Sequence, residues 1–171
     1  AAYGFAGMLL RLLKEEAPQS MALAWDTPKP TFRHQEFTAY KAQRPPIPGD
    51  LVSQIPLLQE IAAAFHLPLL AQEGFEADDI LASLAVQAAE EYQVVLVTGD
   101  HDLLQLVTER IQVLFTRQGI ATLDRFDPAA VQARFGVWPE QMADLKGLTG
   151  DTSDNIPGVP GVGEKTAVRL L

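Results

Sequence analysis

A mostly parallel α/β sheet with helices on both faces is the fold class that this chain predicts. Three observations carry that reading. Short apolar runs alternate with amphipathic stretches along most of the 171 residues, and such alternation implies parallel strands joined by helical crossovers. Val94 to Val97 is a continuous, mostly β-branched run of the kind found in a strand buried on both faces. The acidic residues, finally, collect just after the apolar runs, at the strand ends where ligands bind in such sheets.

Each element has its own signal. Tyr3 to Glu16 has a broad leucine-rich face and ends before Pro18, so it predicts a helix. Met21 to Trp25 predicts a buried strand that ends in Asp26. From Thr27 to Gly49 the chain carries Lys29, Arg33, Lys41 and Arg44 against one acid, Glu36, with Phe32, Phe37 and Tyr40 interleaved. Pro28, Pro30, Pro45 and Pro46 argue against one regular element there. Asp50 predicts the cap of a helix running to about His66, with Pro56 kinking it or sitting near its start. Leu67 to Ala71 predicts a strand, and Glu76 opens a second amphipathic helix. Gly99-Asp100-His101-Asp102 follows the Val94–Val97 strand; Leu103 to Val107 predicts a helix and Ile111 to Phe115 another strand. Asp127-Pro128 pairs a helix cap with a proline at the first helical position. Trp138 to Leu148 is a further helical stretch. The reading divides the chain into an α/β core over residues 1–127, with the basic segment at 27–49, and a helical region over 128–171.

Bulk properties exclude several classes. There is no cysteine, which removes disulfides, thiolate metal sites and thiol nucleophiles. No run reaches membrane-spanning length. The net charge of −9 has the wrong sign for a general nucleic-acid binder, although local patches outweigh totals. With 47% hydrophobic and 20% charged residues the chain can build a core.

The stretch from Gln72 to Asp102 contains Glu73, Glu76, Asp78, Asp79, Glu90, Glu91, Asp100 and Asp102 and no lysine or arginine. Carboxylates that converge without a basic counterweight take up protons or a cation, and an all-oxygen set suits Mg²⁺ or Mn²⁺. Asp26, the Glu76-Asp78-Asp79 set, the Asp100-Asp102 pair and Asp151 with Asp154 all aim at one rim. Any set alone fits a helix cap or a turn; together they predict a metal site. His34, His66 and His101 lack metal-ligand spacing. The tail places Gly158, Gly161 and Gly163 before a helix that starts near Glu164, an arrangement suited to phosphate. Glu164 interrupts the spacing of a nucleotide-binding GxxxxGK[ST] loop, and no apolar strand precedes it.

Four motifs together resemble the 5′-nuclease domain at the N-terminus of bacterial DNA polymerase I, a relative of flap endonucleases. They are AWD ending at Asp26, FRHQEFTAYKAQR from Phe32 to Arg44, FEADDILAS with TGDHDLLQL, and TGDTSDNIPGVPGVGEKTA from Thr149 to Ala167. The resemblance implies a two-metal phosphodiesterase of the flap-nuclease fold with a C-terminal helix-hairpin-helix. Asp26, Glu76, Asp78 and Asp79 would serve one Mg²⁺ or Mn²⁺; Asp100, Asp102, Asp151 and Asp154 would serve the other. Lys41 and Arg44 would contact the scissile phosphate. Arg33 and Tyr40 would steer the 5′ strand by charge and stacking. Gly158, Gly161, Gly163, Lys165 and Thr166 would grip duplex backbone, with room for a K⁺ ion. The implied substrate is DNA with 5′ ends, nicks or flaps, handled by a monomer in the bacterial cytoplasm at the nucleoid, in a protein that carries a linked polymerase domain. The family pattern opens with a strand bearing another metal-ligand aspartate, which would precede Ala1. The expectation is therefore an active parent protein and an impaired isolated piece, with DNA binding without cleavage as the alternative.

Overall fold

The computed structural model describes residues 1–116 and 123–171. The helix α1 (Ala2–Glu15) buries Leu9 and Leu12 one turn apart. It packs on α4 (Ile55–Ala64), which buries Leu58 and Ala62. Between them lie β1 (Leu23–Ala24), α2 (Phe32–Glu36) and α3 (Gly49–Val52). The single helix expected from Asp50 to His66 is therefore two. Pro56 sits in the first turn of α4, where its missing N–H is harmless; a continuous helix would drive its ring into the carbonyl four residues back. Asp50 lies in the first turn of α3, after a Pro48 cap, and is not itself the cap.

The chain continues through β2 (Leu69–Leu70), α5 (Ala77–Ala88), β3 (Val94–Thr98), a 3-10 helix over His101–Leu106, β4 (Ile111–Thr116) and β5 (Leu123–Phe126). It ends with α6 (Pro128–Phe135), α7 (Met142–Thr149), β6 (Gly150–Asp151), β7 (Ile156–Pro157) and α8 (Glu164–Leu170). Asp127 caps α6 as expected, its carboxylate accepting the Ala130 N–H at 2.8 Å.

The α/β class holds, but the strands fall into small sheets. β1 pairs in parallel with β2, and β3 in parallel with β4. β5 adds antiparallel to β4, and β6 pairs antiparallel with β7. Two residues each from β1 and β2 give too short a ladder to extend the larger sheet. The stretch after Asp102 forms a 3-10 helix rather than an α-helix.

One core unites sheet and C-terminal helices. Leu96, Val113 and Phe126 from the three strands meet Leu103 and Leu104, Val131 of α6, Met142 and Leu145 of α7, and Ala167 of α8. That shared core fixes the loops at the strand ends relative to the turn after α7. No helix among the described residues is long and apolar enough to cross a membrane.

Candidate active site

The capping chemistry of each element places the acids. Asp26, just past β1, accepts the Ala77 N–H at 2.7 Å and so closes the first turn of α5. Within that turn the Glu76 N–H donates to Asp79 at 2.9 Å, and anionic groups there also complement the helix dipole. Asp100, beyond β3, accepts the Asp102 N–H at 2.9 Å and starts the 3-10 helix. Between them His101 stacks on Phe115, with ring centroids 4.1 Å apart and planes 6° apart, and meets Phe135 edge-on. Burial, reinforced by nearby Lys146, lowers the His101 pKa and favours a neutral ring that wedges the loop. Beyond α7, Asp151 accepts from the Ser153 N–H and hydroxyl at 2.8 and 2.6 Å.

Shared partners and charges link the eight acids chosen from the sequence to one another. Tyr40 joins Glu76 to Asp154, its hydroxyl lying 2.8 and 2.9 Å from the two carboxylates. Lys146 joins Asp102, at 2.8 Å, to Asp151. Asp78 feels the charges of Asp100, Asp26 and Glu76.

The expectation of an uncompensated cluster needs correction. Arg33 forks onto Asp79 through two hydrogen bonds of 2.8 and 2.7 Å and approaches Glu76 at 3.5 Å. Lys41 meets Glu76 at 2.6 Å and Asp154 at 3.8 Å. Arg44 meets Asp154 at 2.6 Å, and Lys29 pairs with Glu73 at 2.8 Å. Each base of the basic segment has thus found an acid, most of them far away in sequence. Lys146 completes the set. It was missed although one partner, Asp151, lies only five residues on; the other, Asp102, lies 44 residues upstream, and the available signal was that Lys146 is the only basic residue between Arg134 and Lys165.

The pairing shows in the acidities. The Arg33 fork, against the opposing effect of burial, holds Asp79 low. Burial raises Glu76, but hydrogen bonds from Lys41 and Tyr40 outweigh it and leave it lowered. Burial likewise opposes the Asp151 carboxylate, yet Lys146 and Ser153 bring it down to about 2. Tyr40 is pushed far up by burial and by the two carboxylates at its hydroxyl. Its ring is only 5% exposed, so it cannot stack on a base as it stands. Its hydroxyl contacts Glu76 and Asp154 instead, where stacking was expected.

Three acids stand apart. Among the described residues no ion pair reaches Asp26, Asp78 or Asp100. Burial first, then Asp100, Asp26 and Glu76, raises Asp78 to about 6. A buried carboxylate among other carboxylates holds its charge at a cost that a cation would relieve. In charge and donor chemistry this corner fits a divalent cation. In closure it falls short: among the described residues no three acidic or histidine side chains are gathered tightly enough to hold one.

The glycine turn lies beside this rim. Gly150, at φ 77°, and Gly158 bring β6 and β7 so close that a Cβ on either would strike the backbone opposite. Gly158 therefore permits a strand contact, while Gly161, at φ 81°, turns the chain into α8. Gly163 caps α8, and Lys165 and Thr166 occupy its first turn. Lys165 faces solvent, and among the described residues neither it nor Thr166 pairs with an acid of the rim.

Comparison with known proteins follows these lines. Residues 1–136 match the family model described as 5′-3′ exonuclease, N-terminal resolvase-like domain. Residues 137–171 match the one described as 5′-3′ exonuclease, C-terminal SAM fold. DNA polymerase I of Bacillus caldotenax is 48% identical over 172 residues, covering 100% of this chain and 20% of the relative. The thermostable DNA polymerase I of Thermus thermophilus is 43% identical, again over 100% of this chain and 20% of the relative. The chain thus spans about a fifth of the length of these relatives. Among solved structures, T5 5′-exonuclease with bound zinc superimposes with a TM-score of 0.81 at 25% identity, covering 99% of this chain and 65% of that one. The catalytic core of Rad2 with DNA shares the fold at a TM-score of 0.59 and 18% identity, over 98% of this chain and 51% of that one.

Proposed function

The chain belongs to the 5′-3′ exonuclease family, and from that premise we propose that it is the nuclease part of a larger DNA polymerase I. In this reading it hydrolyses phosphodiester bonds near 5′ ends, nicks and flaps of DNA during replication and repair. It works as a monomer in the bacterial cytoplasm, at the nucleoid.

The observation that supports this reading most is the company the acids keep. Acids from four separate segments line one rim, and Lys41 and Arg44 of the basic motif sit between them. A phosphate entering there meets both bases. It exchanges their present contacts with Glu76 and Asp154 for contacts with its own oxygens. Tyr40 keeps those two acids in place. Arg33, 35% exposed on its side chain, stays on Asp79 and adds positive field toward the incoming strand. Divalent cations, Mg²⁺ or Mn²⁺, would be held by Asp26, Asp78 and Asp100, with Glu76 and Asp79 beside them, and by Asp102, Asp151 and Asp154. Bound, they would supply an acidified water and charge stabilisation of the leaving oxygen. The Gly158–Thr166 turn contacts duplex backbone, with a K⁺ ion in the hairpin, and confers no sequence preference.

A second reading, DNA binding without cleavage, draws on the acids' failure to close around one point. Incubating the chain with a 5′-labelled flap duplex and Mg²⁺ or Mn²⁺, with EDTA as control, separates the two. Release of short 5′ products only with metal supports the nuclease. Retardation of the duplex without cleavage by a folded sample supports the binder.

A further inference from the structure

We infer that Gln43 and Asn155 are positioning residues that clasp the basic segment to the acidic loop and so aim Lys41 and Arg44. The inference rests on the nuclease reading above. Residues 39–44 form no helix; they are a run of tight turns, closed by Ala42 N–H to Ala39 and Arg44 N–H to Lys41 at 3.2 and 3.0 Å. Lys41 itself has φ 54°, a left-handed backbone that a lysine does not adopt without support. The support comes from residues 152–155, over a hundred positions away. The Lys41 N–H donates to the Asp154 carbonyl at 3.0 Å. The Gln43 amide donates to the Thr152 and Ser153 carbonyls at 2.8 and 3.3 Å. In the other direction the Asn155 amide donates to the Ala39 carbonyl at 2.7 Å. Each side of the contact reaches into the backbone of the other.

These amide contacts differ in kind from the ion pairs next to them. Lys41 with Glu76 and Arg44 with Asp154 are the contacts that a phosphate must take over. Once those tips are engaged by substrate, the ion pairs no longer tie the segment to the loop, and Arg44 keeps only its Nε–H bond to the Ser153 carbonyl at 3.2 Å. Gln43 and Asn155 bond to main-chain carbonyls, not to the carboxylates that the phosphate must displace. They therefore keep the lysine and arginine aimed during the step in which the ion pairs are given up. Placement at this level governs turnover more than binding, because misplacing a reacting partner by about 1 Å can cost up to about 100-fold in rate.

The test uses the full chain with Gln43→Ala, Asn155→Gly and the double variant. Glycine suits position 155, where φ is 61°, so the backbone is kept and only the amide is lost. Gln43→Glu keeps the shape and removes the donor. Two quantities are read: trypsin cleavage after Lys41 in the absence of DNA, and kcat and KM on a 5′-flap duplex with Mg²⁺. The double variant is expected to be cut after Lys41 several-fold faster, and to lose about tenfold in kcat with KM within about twofold. Gln43→Glu should follow Gln43→Ala. Unchanged trypsin sensitivity and unchanged kcat overturn the inference; so does a rise in KM alone, or full function in Gln43→Glu. Should even the parent chain leave the flap uncut, the nuclease reading fails, while trypsin sensitivity still decides whether the clasp holds the segment.

Discussion

Two groups of carboxylates share one rim and differ in what stands beside them. Glu76, Asp79, Asp102, Asp151 and Asp154 each have a lysine or arginine within 2.8 Å. Asp26, Asp78 and Asp100 have none among the described residues. Two members show the contrast in acidity, with Asp151 brought down to about 2 and Asp78 raised to about 6. The same residue type on the same rim can thus be a satisfied half of an ion pair or an unmet demand for positive charge. Only the second invites a cation from solution; at the first, a cation must compete with a base already present.

Mutations can break this contrast, and the largest effect should come from the unpaired side. Asp100→Ala is expected to lower metal-dependent flap cleavage by about 10³-fold or more, an activation penalty of roughly 4 kcal/mol. Duplex binding measured in Ca²⁺ should stay near the parent value. Loss of binding and folding together would mean that Asp100 is structural.

On the paired side, Lys146→Met leaves Asp102 and Asp151 facing one another without their base. Stability in EDTA should fall by about 1 to 2 kcal/mol, read from urea unfolding at pH 7. Because the folded pKa of Asp151 is depressed, its contribution exists above about pH 4 and is lost as pH falls toward about 2. The variant lacks that contribution already at neutral pH, so the gap to the parent should close in acid. A constant gap down to pH 2 would assign the loss to packing instead.

Asp78 runs the other way. Its folded pKa of about 6 exceeds the unfolded value, so its charge opposes folding above pH 6, and the opposition fades toward pH 4. Asp78→Asn should therefore raise Tm in EDTA by about 2 to 4 °C at pH 7 and hardly at all at pH 4. The smallest effect belongs to a control far from the rim. Arg125 grips Glu16 at 2.6 Å, as short as Arg44 on Asp154, but the Glu16 side chain is 22% exposed where Asp154 is 8%. Arg125→Ala should cost at most about 1 kcal/mol, and less at high salt.

What was legible in the sequence was local. Asp127-Pro128 announces α6 because a cap and a proline act within one turn. Glu76 to Asp79 is readable as a helix start, and the strand before Asp100 as an apolar run, for the same reason. The position of Asp26, Glu76, Asp78, Asp79, Asp100 and Asp102 near strand and helix ends followed from topology, whereas Asp151 and Asp154, expected on one helical turn, lie in β6 and the turn after it. What escaped was everything set by distance. Arg33 finds Asp79 across 46 residues, and Arg44 finds Asp154 across 110. No window along the chain contains both partners, so a stretch that looked purely acidic is half neutralised. β5 escaped as well, since Leu123-Asp124-Arg125-Phe126 becomes a strand only by adding to the edge of β4. The break between α3 and α4 was half visible in Pro56.

The most direct test is a Mn²⁺ titration of the chain followed by electron paramagnetic resonance, repeated on Asp78→Asn and Asp79→Asn. Asp79 already has Arg33, whereas among the described residues no base forms an ion pair with Asp78, which feels Lys41 only as the last of its influences. The contrast requires that Asp78→Asn weaken the tightest site by at least about tenfold, and that Asp79→Asn change it by less than about threefold. Equal losses in both variants, or none in either, would contradict the division of this rim into paired and unpaired acids.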